Sequence, residues 1–569
     1  GVLMLGASHA MAAPTVKQPN ILLVVADDLG FSDLSALGSE IQTPNLDKLL
    51  ADGRLMLDFH AAPSCSPTRA MLMSGNDPHL VGLGMMSETR KRLPAGAEVR
   101  AGYEGVLGAN VATLAELLHD AGYRTYIAGK WHLGMQPAQQ PHNRGFDQAY
   151  VLLEGGAAHF KQANMDLQSN YSATYRHNGE PIALPDDFYS TTWYTDRLID
   201  AIDQGKASNK PFFAFAAYTA PHWPLQAPDA YLAQYRGRYD QGYEVIAHER
   251  LKRQREAGLV PADFSLQAQL EGVPSWASLS DEQKRQSART MEVYAAMVTA
   301  LDAEVGRLVN HLRKTGELEN TMILFMSDNG PENATRVDPE WIKANFDNRL
   351  DNYGRRDSFL MIGSAWAQVS ALPSRRYKMT TYQGGIRVPA FVYYPATIKA
   401  GRSEELASVR DIMPTLLQLA GAPMPGVKYR DRDIVPPQGT SALNYLQGQD
   451  SQIHAHDEAL GWEINGSASL RKGPLKLVWD ATDSKPSWHL YDLRKDPGEH
   501  HDIGAGHPEQ VALMLRDWKA YAQRGNIAVD ADGLVVVEVV GDLVLVEPGP
   551  SLLHGVAGFD AVEGCAHAC

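Results

Sequence analysis

The chain has 569 residues, 44% hydrophobic and 21% charged, and its 52 lysines and arginines against 67 aspartates and glutamates leave a net charge of −15. That balance argues against a nucleic-acid partner, whose phosphates reward clustered basic residues, and means that an anionic ligand must be held by local positive charge. No stretch reaches the roughly 18 apolar residues of a membrane helix, three cysteines make no disulfide framework, and the length exceeds what one core sustains, so a large domain with a smaller companion is expected.

In chain order, Gly1 to Ala13 reads as the remnant of a signal peptide: the apolar Val2-Leu3-Met4-Leu5 precedes an Ala10-Met11-Ala12 cleavage pattern. The protein is accordingly expected to be exported, in a bacterium to the periplasm. The sequons at Asn170, Asn333 and Asn465 would matter only in a eukaryotic secretory pathway. Asn20 to Ala26 is a buried-strand run that ends directly in Asp27-Asp28. Thr43 as N-cap, Pro44 at N1, the stripe Leu46, Leu49 and Leu50, and Gly53 at C′ predict a helix. Pro63-Ser64-Cys65-Ser66-Pro67-Thr68-Arg69 then sets the only cysteine before position 565 in a pattern that core packing does not require. A buried free thiol is the plain alternative.

Leu114, Leu117 and Leu118 predict a helix within Val111 to Ala121, and Arg124 to Ala128 a strand that runs into Gly129-Lys130-Trp131-His132. Phe212 to Tyr218, another buried run, ends in Ala220-Pro221-His222-Trp223. The clearest helix spans Ser287 to Arg313, with Met291, Tyr294, Met297, Val298, Leu301, Val305, Leu308 and Leu312 on one face. It feeds the strand Met322 to Ser327, which ends in Asp328-Asn329-Gly330.

Continuous apolar strands alternating with helices predict an α/β fold on a large, mainly parallel sheet sandwiched by helices. In such sheets ligands bind beyond the carboxyl ends of the strands, so the tips carrying Asp27/Asp28, Lys130/His132, His222 and Asp328/Asn329 should converge. The catalytic domain is expected at 17–450. Beyond it, Ala459 to Ile464, Leu475 to Trp479, Trp488 to Leu493 and an amphipathic helix from Pro508 to Tyr521 predict a small α+β domain, an antiparallel sheet plus helix, at 451–525. Residues 526–569 read as a tail of unknown structure, in which Leu534 to Val546 suggests a valine-rich hairpin around Gly541-Asp542 and Cys565 and Cys569 lie in a floppy end.

Asp27, Asp28, Asp328 and Asn329 form an all-oxygen set that suits a hard divalent cation, calcium first and magnesium second. Each pair taken alone would be an ordinary turn or cap; together, at two strand tips, they favour a metal site. Each histidine alone reads equally well as a hydrogen-bonded structural residue, and Lys130 and Lys378 alone as solvated charges.

The pattern Cys65-x-Pro67-x-Arg69, with Leu72 and Gly75, resembles the signature by which type I sulfatases mark a cysteine for oxidation to Cα-formylglycine. Ser74 stands where that family usually has threonine. Gly122 to His132 resembles the second sulfatase signature, Ala26 to Gly30 and Ser327 to Gly330 the two metal loops, and Ala220 to Pro224 and Tyr377-Lys378 with Gln383 to Pro389 the remaining active-site segments. The likeness extends to secreted bacterial arylsulfatases over about residues 18 to 525 and implies an alkaline phosphatase-like fold. It also implies a maturation partner, a formylglycine-generating enzyme, and a small sulfate ester as substrate.

Carried over by residue, the resemblance implies that residue 65, as a hydrated aldehyde, attacks sulfur with one hydroxyl, activated by the metal and Asp328. His222 protonates the departing alcohol and Lys378 holds a sulfate oxygen. His132 then deprotonates the second hydroxyl to release sulfate, while Arg69 and Lys130 hold the diol. It implies metal contacts from Asp27, Asp28, residue 65, Asp328 and Asn329. Trp131 and Trp223 are expected as pocket walls or core. Two alternatives stay open: a phosphonate monoester or phosphodiester hydrolase of the same superfamily, and an inactive glycan-binding relative. The leaving group would be read by loops at Glu154 to Ser190 and Gln226 to Pro274.

Overall fold

The computed structural model describes residues 18–540 apart from 94–97, 162–172, 267–269, 334–338 and 536–538. The signal-peptide reading, most of the valine-rich hairpin and the two terminal cysteines lie outside the described residues.

Ten strands form one sheet: β1 (Asn20–Ala26), β2 (Arg54–Met56), β3 (Arg124–Lys130), β4 (Gln148–Leu152), β5 (Tyr175–His177), β6 (Glu180–Pro181), β7 (Phe212–Ala217), β8 (Thr321–Ser327), β9 (Ala390–Tyr393) and β10 (Gly401–Ser403), in the spatial order β10-β2-β9-β8-β1-β7-β3-β4-β5-β6. The five central strands, β8-β1-β7-β3-β4, run parallel in register Ala26↔Ser327, Val25↔Ala217 and Gly129↔Ala217. The flanks turn antiparallel at β9 and at β5 and β6, so the sheet is mixed around a parallel centre.

The apolar runs of the central strands are continuous because both faces are covered. In β1, Leu22, Val24 and Ala26 enter one core and Ile21, Leu23 and Val25 the other, all at 0% exposure. Over the first face lie α1 (Pro44–Ala51), α4 (Ser190–Gly205), α5 (Tyr243–Glu256), α6 (Asp281–Lys314) and α7 (Gly363–Ala371). Over the second lie α2 (Cys65–Ser74), α3 (Leu114–Asp120) and α8 (Ile412–Ala420). Each fully buried leucine or isoleucine contributes about 1.5–3 kcal/mol.

Several boundaries differ from the sequence expectation for local reasons. Helix α6 starts earlier, at Asp281, because Ser280 and Gln283 form a reciprocal capping box. Helix α3 starts later, at Leu114, because Thr113 and Glu116 make the same device. Thr43 does precede α1, but its hydroxyl bonds Asp47. The amides of Asn45 and Leu46 are taken by the Asp302 carboxylate instead, at 3.2 and 2.7 Å. Gln226 to Pro274, expected as loop, contains α5.

The smaller unit is a four-stranded antiparallel meander, β11 (Ala459–Ile464), β12 (Ser467–Lys472), β13 (Leu475–Trp479) and β14 (Trp488–Asp492), backed by α9 (Pro508–Arg524). Strand β12 was not anticipated, because its run SASLRK alternates polar and apolar residues without a bulky apolar stretch. In the tail, Val539 and Val540 pair antiparallel with Val99 and Glu98.

Candidate active site

β8, β1, β7 and β3 are neighbours and parallel, so their carboxyl ends share one edge. Asp27 and Asp28 leave β1, Asp328 and Asn329 leave β8, His222 follows β7, Lys130 ends β3 and His132 lies two residues on. Backbone bonds lash the tips together: Asp27 N donates to Ala220 O at 3.1 Å and Asp328 N to Ala26 O at 3.0 Å. The turns out of the sheet are tight enough to put Asp28 at φ 66° and His132 at φ 57°, a region that non-glycine residues enter rarely and at a cost in strain.

Cys65 is the first residue of α2, a helix whose ten residues are all buried. Pro67 sits inside the first turn, where its missing N–H is no loss. The Cys65 Sγ lies 3.4 Å from Asp27 Oδ1 and 3.8 Å from Asp28 Oδ1. Four residues on, and therefore on the same face, Arg69 donates from Nε and Nη2 to Asp328 Oδ2 at 3.2 and 2.9 Å and from Nη1 to Lys130 O at 2.8 Å. Lys130 Nζ donates to Asp27 Oδ2 at 2.7 Å. Lys378 Nζ reaches both Asp28 oxygens, at 2.9 and 3.1 Å, and Glu332 Oε2 at 3.1 Å. His222 Nδ1 meets Trp223 O at 2.5 Å and its Nε2 lies 3.6 Å from Asp28 Oδ2. His132 Nε2 meets Glu88 Oε1 at 3.0 Å, and its Nδ1 is buried with no hydrogen-bond partner among the described residues.

Three cations, Arg69, Lys130 and Lys378, thus face four carboxylates, Asp27, Asp28, Asp328 and Glu332. A net negative pocket would repel an anionic ester; a divalent cation would reverse its sign. The donor set fits such an ion. Burial, with Asp27, Glu332 and Asp328 nearby, pushes the Asp28 carboxyl up to about 7 despite Lys378. Burial also works against the Asp27 carboxylate, but Lys130, Arg69 and Lys378 outweigh it and hold that group low. Asn329 Oδ1 is buried without a hydrogen-bond partner among the described residues. Ligand atoms of Asp27, Asp28, Cys65 and His222 all lie within 4.8 Å of one another, a buried group able to hold a metal.

Burial and Asp328 raise the Cys65 thiol well above its usual value, so an unmodified Cys65 would be a protonated, poor nucleophile. Burial, then Lys378 and Lys130, drives His222 well below its usual value, favouring a neutral imidazole.

Trp223 lies against His222, ring centroids 4.8 Å apart, and against Phe359 at 5.7 Å, and so walls the pocket. Trp131 belongs to the core, packed on Phe146 with its Nε1 donating to Gln139 O. Sequence reasoning missed Glu332, Glu88 and the support beneath the first metal loop. There Tyr294 Oη donates to Asp33 Oδ2 at 2.7 Å and to Asp28 O at 3.3 Å, while Arg250 donates to Asp33 Oδ1 at 2.7 Å. Glu332, three residues beyond Asn329, was within reach of a closer reading; Glu88 and Arg250 carry no local signal. The small domain also serves the site. Tyr382 packs with Val478, Tyr491 and Leu493, and Ile386 with Leu460 and Trp462, clamping the segment that delivers Lys378.

Comparison with known proteins places this geometry. Residues 19–422 match the Sulfatase family model and residues 376–518 the model described as N-sulphoglucosamine sulphohydrolase, C-terminal. The chain is 40% identical to an uncharacterized sulfatase of Schizosaccharomyces pombe, covering 92% of this chain and 97% of that one. It is 37% identical to an arylsulfatase of Klebsiella aerogenes, covering 77% and 94%. Among solved structures, Ps i-CgsB superposes with a TM-score of 0.63 at 26% identity, over 89% of this chain and 93% of that one.

Proposed function

Since this chain belongs to the sulfatase family and hydrolyses sulfate esters to an alcohol and sulfate, we propose that its substrates are aryl or small alkyl sulfates and that residue 65 works as a hydrated formylglycine beside a calcium ion. The observation that carries this reading is the position of Cys65: a thiol kept protonated, at the mouth of a helix, against two carboxylates and ringed by Arg69, Lys130 and Lys378. As an aldehyde hydrate, residue 65 would bring one hydroxyl to sulfur and a second whose deprotonation lets the sulfate leave, an exit that serine or cysteine lacks.

Asp27, Asp28, Asp328 and Asn329, with an oxygen of residue 65, would hold the ion; all are hard oxygen donors, as calcium prefers. When bound it would supply a Lewis acid for the sulfuryl oxygens. Lys378 and Lys130 orient the anion, and Arg69 fixes Asp328 for the attacking hydroxyl. Burial and the two lysines favour a neutral His222, and an incoming sulfate adds the negative charge that draws a proton onto Nε2 for the departing alcohol oxygen. His132, whose Nδ1 has no hydrogen-bond partner among the described residues and whose Nε2 is tied to Glu88, is arranged as the base. The Klebsiella relative, an arylsulfatase, supports an aryl preference.

Mass spectrometry of the peptide carrying residue 65 tests the reading: an aldehyde or its hydrate is expected in native, active protein, and a fully active preparation with only thiol there overturns it. A formylglycine-generating maturation enzyme is the partner this requires. Export to a bacterial periplasm, proposed from Gly1 to Ala13, is checked by fractionating cells that express the full reading frame.

A further inference from the structure

The stretch Glu154-Gly155-Gly156, just past β4, lies against both active-site imidazoles. A Cβ on Gly155 would sit 2.5 Å from Cε1 and 2.7 Å from Nε2 of His132, and one on Gly156 would sit 2.9 Å from Cε1 and 3.1 Å from Nδ1 of His222. Neither glycine has positive φ, so backbone conformation does not demand glycine here. The missing side chain does, because each ring occupies the space it would fill.

The loop is anchored on both sides of these glycines. His132 N donates to Leu153 O at 3.2 Å, and Thr174 N donates to Glu154 Oε2 at 2.8 Å. Farther on, buried His159 bonds Ser190 Oγ through Nδ1 at 2.8 Å and meets His222 O through Nε2 at 2.9 Å, while its own N donates to Gln226 Oε1 at 2.9 Å. Each imidazole is also gripped elsewhere: His132 by Glu88, His222 by the Trp223 carbonyl.

We propose that Gly155 and Gly156 are positioning residues that each set one imidazole, Gly155 holding His132 for sulfate release and Gly156 holding His222 for alcohol expulsion. Two adjacent residues of one loop thereby tune the two halves of the reaction separately. The inference rests on the roles given to the histidines above. In the first half a hydroxyl oxygen of residue 65 bonds to sulfur, its proton passing to Asp328, and the ester S–O bond breaks; its pair stays on the alcohol oxygen and His222 supplies the proton. In the second, His132 takes the hydroxyl proton of residue 65, the O–H pair becomes the C=O bond, and the C–O bond to sulfate breaks with its pair leaving on sulfate.

The test uses the mature full chain and aryl sulfates spanning a wide range of phenol pKa. Gly156→Ala should lose roughly ten- to a hundredfold on esters of weakly acidic phenols and little on those of strongly acidic ones. Gly155→Ala should lower kcat by a similar factor for all esters, leave kcat/KM unchanged, and produce a burst of about one phenol per site. In 15N-histidine spectra, which need no turnover, Gly155→Ala should move His132 alone and Gly156→Ala His222 alone. Should the alanines unfold the protein, Glu88→Gln and His159→Gln reach the same two imidazoles from outside the crowded contacts and should show the same split. Identical leaving-group profiles for the two variants, or no imidazole shift, would overturn the proposal. His132→Ala and His222→Ala serve as references. If they fail to split by leaving group, the assigned histidine roles are wrong; if they split and the loop variants do not, the positioning role alone is wrong.

Discussion

Two regions of this protein bury dense charge, the crevice at the strand tips and the seam between the large and small domains, and they differ in what the charges surround. At the seam Lys476 Nζ meets Glu499 Oε1 at 2.6 Å, and the other Glu499 oxygen accepts from Gln383 N at 2.7 Å. His79 meets Glu463 at 2.6 Å, Arg471 meets Asp58 at 2.9 Å, and His454 bridges Asp411 and Glu458. Ionisation is perturbed in both regions: burial pulls Lys476 down to about 8 despite Glu499 and pushes Asp28 up to about 7. Perturbation by itself therefore does not mark the active site. The crevice is distinguished by convergence: ligand atoms of Asp27, Asp28, Cys65 and His222 lie within 4.8 Å of one another, a group able to hold a metal ion.

If that contrast is right, crevice variants lose activity and keep stability, and seam variants do the reverse. The largest effect belongs to Cys65→Ala, which should cut steady-state turnover at least about 10⁴-fold with a Tm within a few degrees of the parent. Cys65→Ser should release no more than one equivalent of alcohol per site, and sustained turnover by it would remove the need for an aldehyde.

Asp28→Asn should cost about 10²–10³-fold in kcat/KM and weaken calcium binding measured calorimetrically. Because Asp28 would hold the ion as a carboxylate and burial pushes its carboxyl up to about 7, parental affinity should climb as pH rises from 6 towards 8. Flat affinity over that range would show that another group sets it.

At the seam, Lys476→Met strands Glu499 in a buried position and should cost about 3 kcal/mol in urea unfolding, with kcat intact. The smallest effect is that of His454. Burial lowers its affinity for a proton, but Asp411 and Glu458 outweigh burial and raise it to about 9. Its contribution is therefore complete below the unfolded value near 6.5 and disappears as pH rises through 9, worth at most about 3 kcal/mol. His454→Gln should flatten the urea midpoint between pH 6.5 and 9, and an unaltered slope would assign the dependence elsewhere.

Much of the fold was legible because the central strands announce themselves: a run such as Ile21 to Ala26, buried on both faces, has no polar position to disguise it. Strand β12 stayed hidden because one of its faces carries Ser467, Ser469 and Arg471, polar side chains whose partners include Asp480, Thr381 and Asp58. The strand-tip residues were readable for the same reason as the strands, since each follows an apolar run directly. Glu88, Gly155, Gly156 and Arg250 were not, because each acts on a residue far away in the chain.

By itself the sequence singled out the residues that meet at the strand tips, since Cys65, Arg69, the aspartates, the histidines and the lysines sit in local patterns whose spacing alone puts Arg69 above Cys65 on one helix face. Only the tertiary structure decided how those residues are matched: that Arg69 pairs with Asp328, that Lys378 is shared between Asp28 and Glu332, and that His132 is tied to Glu88. Electrostatic pairing depends on distance through space, and parallel strand packing, which no single segment encodes, sets those distances.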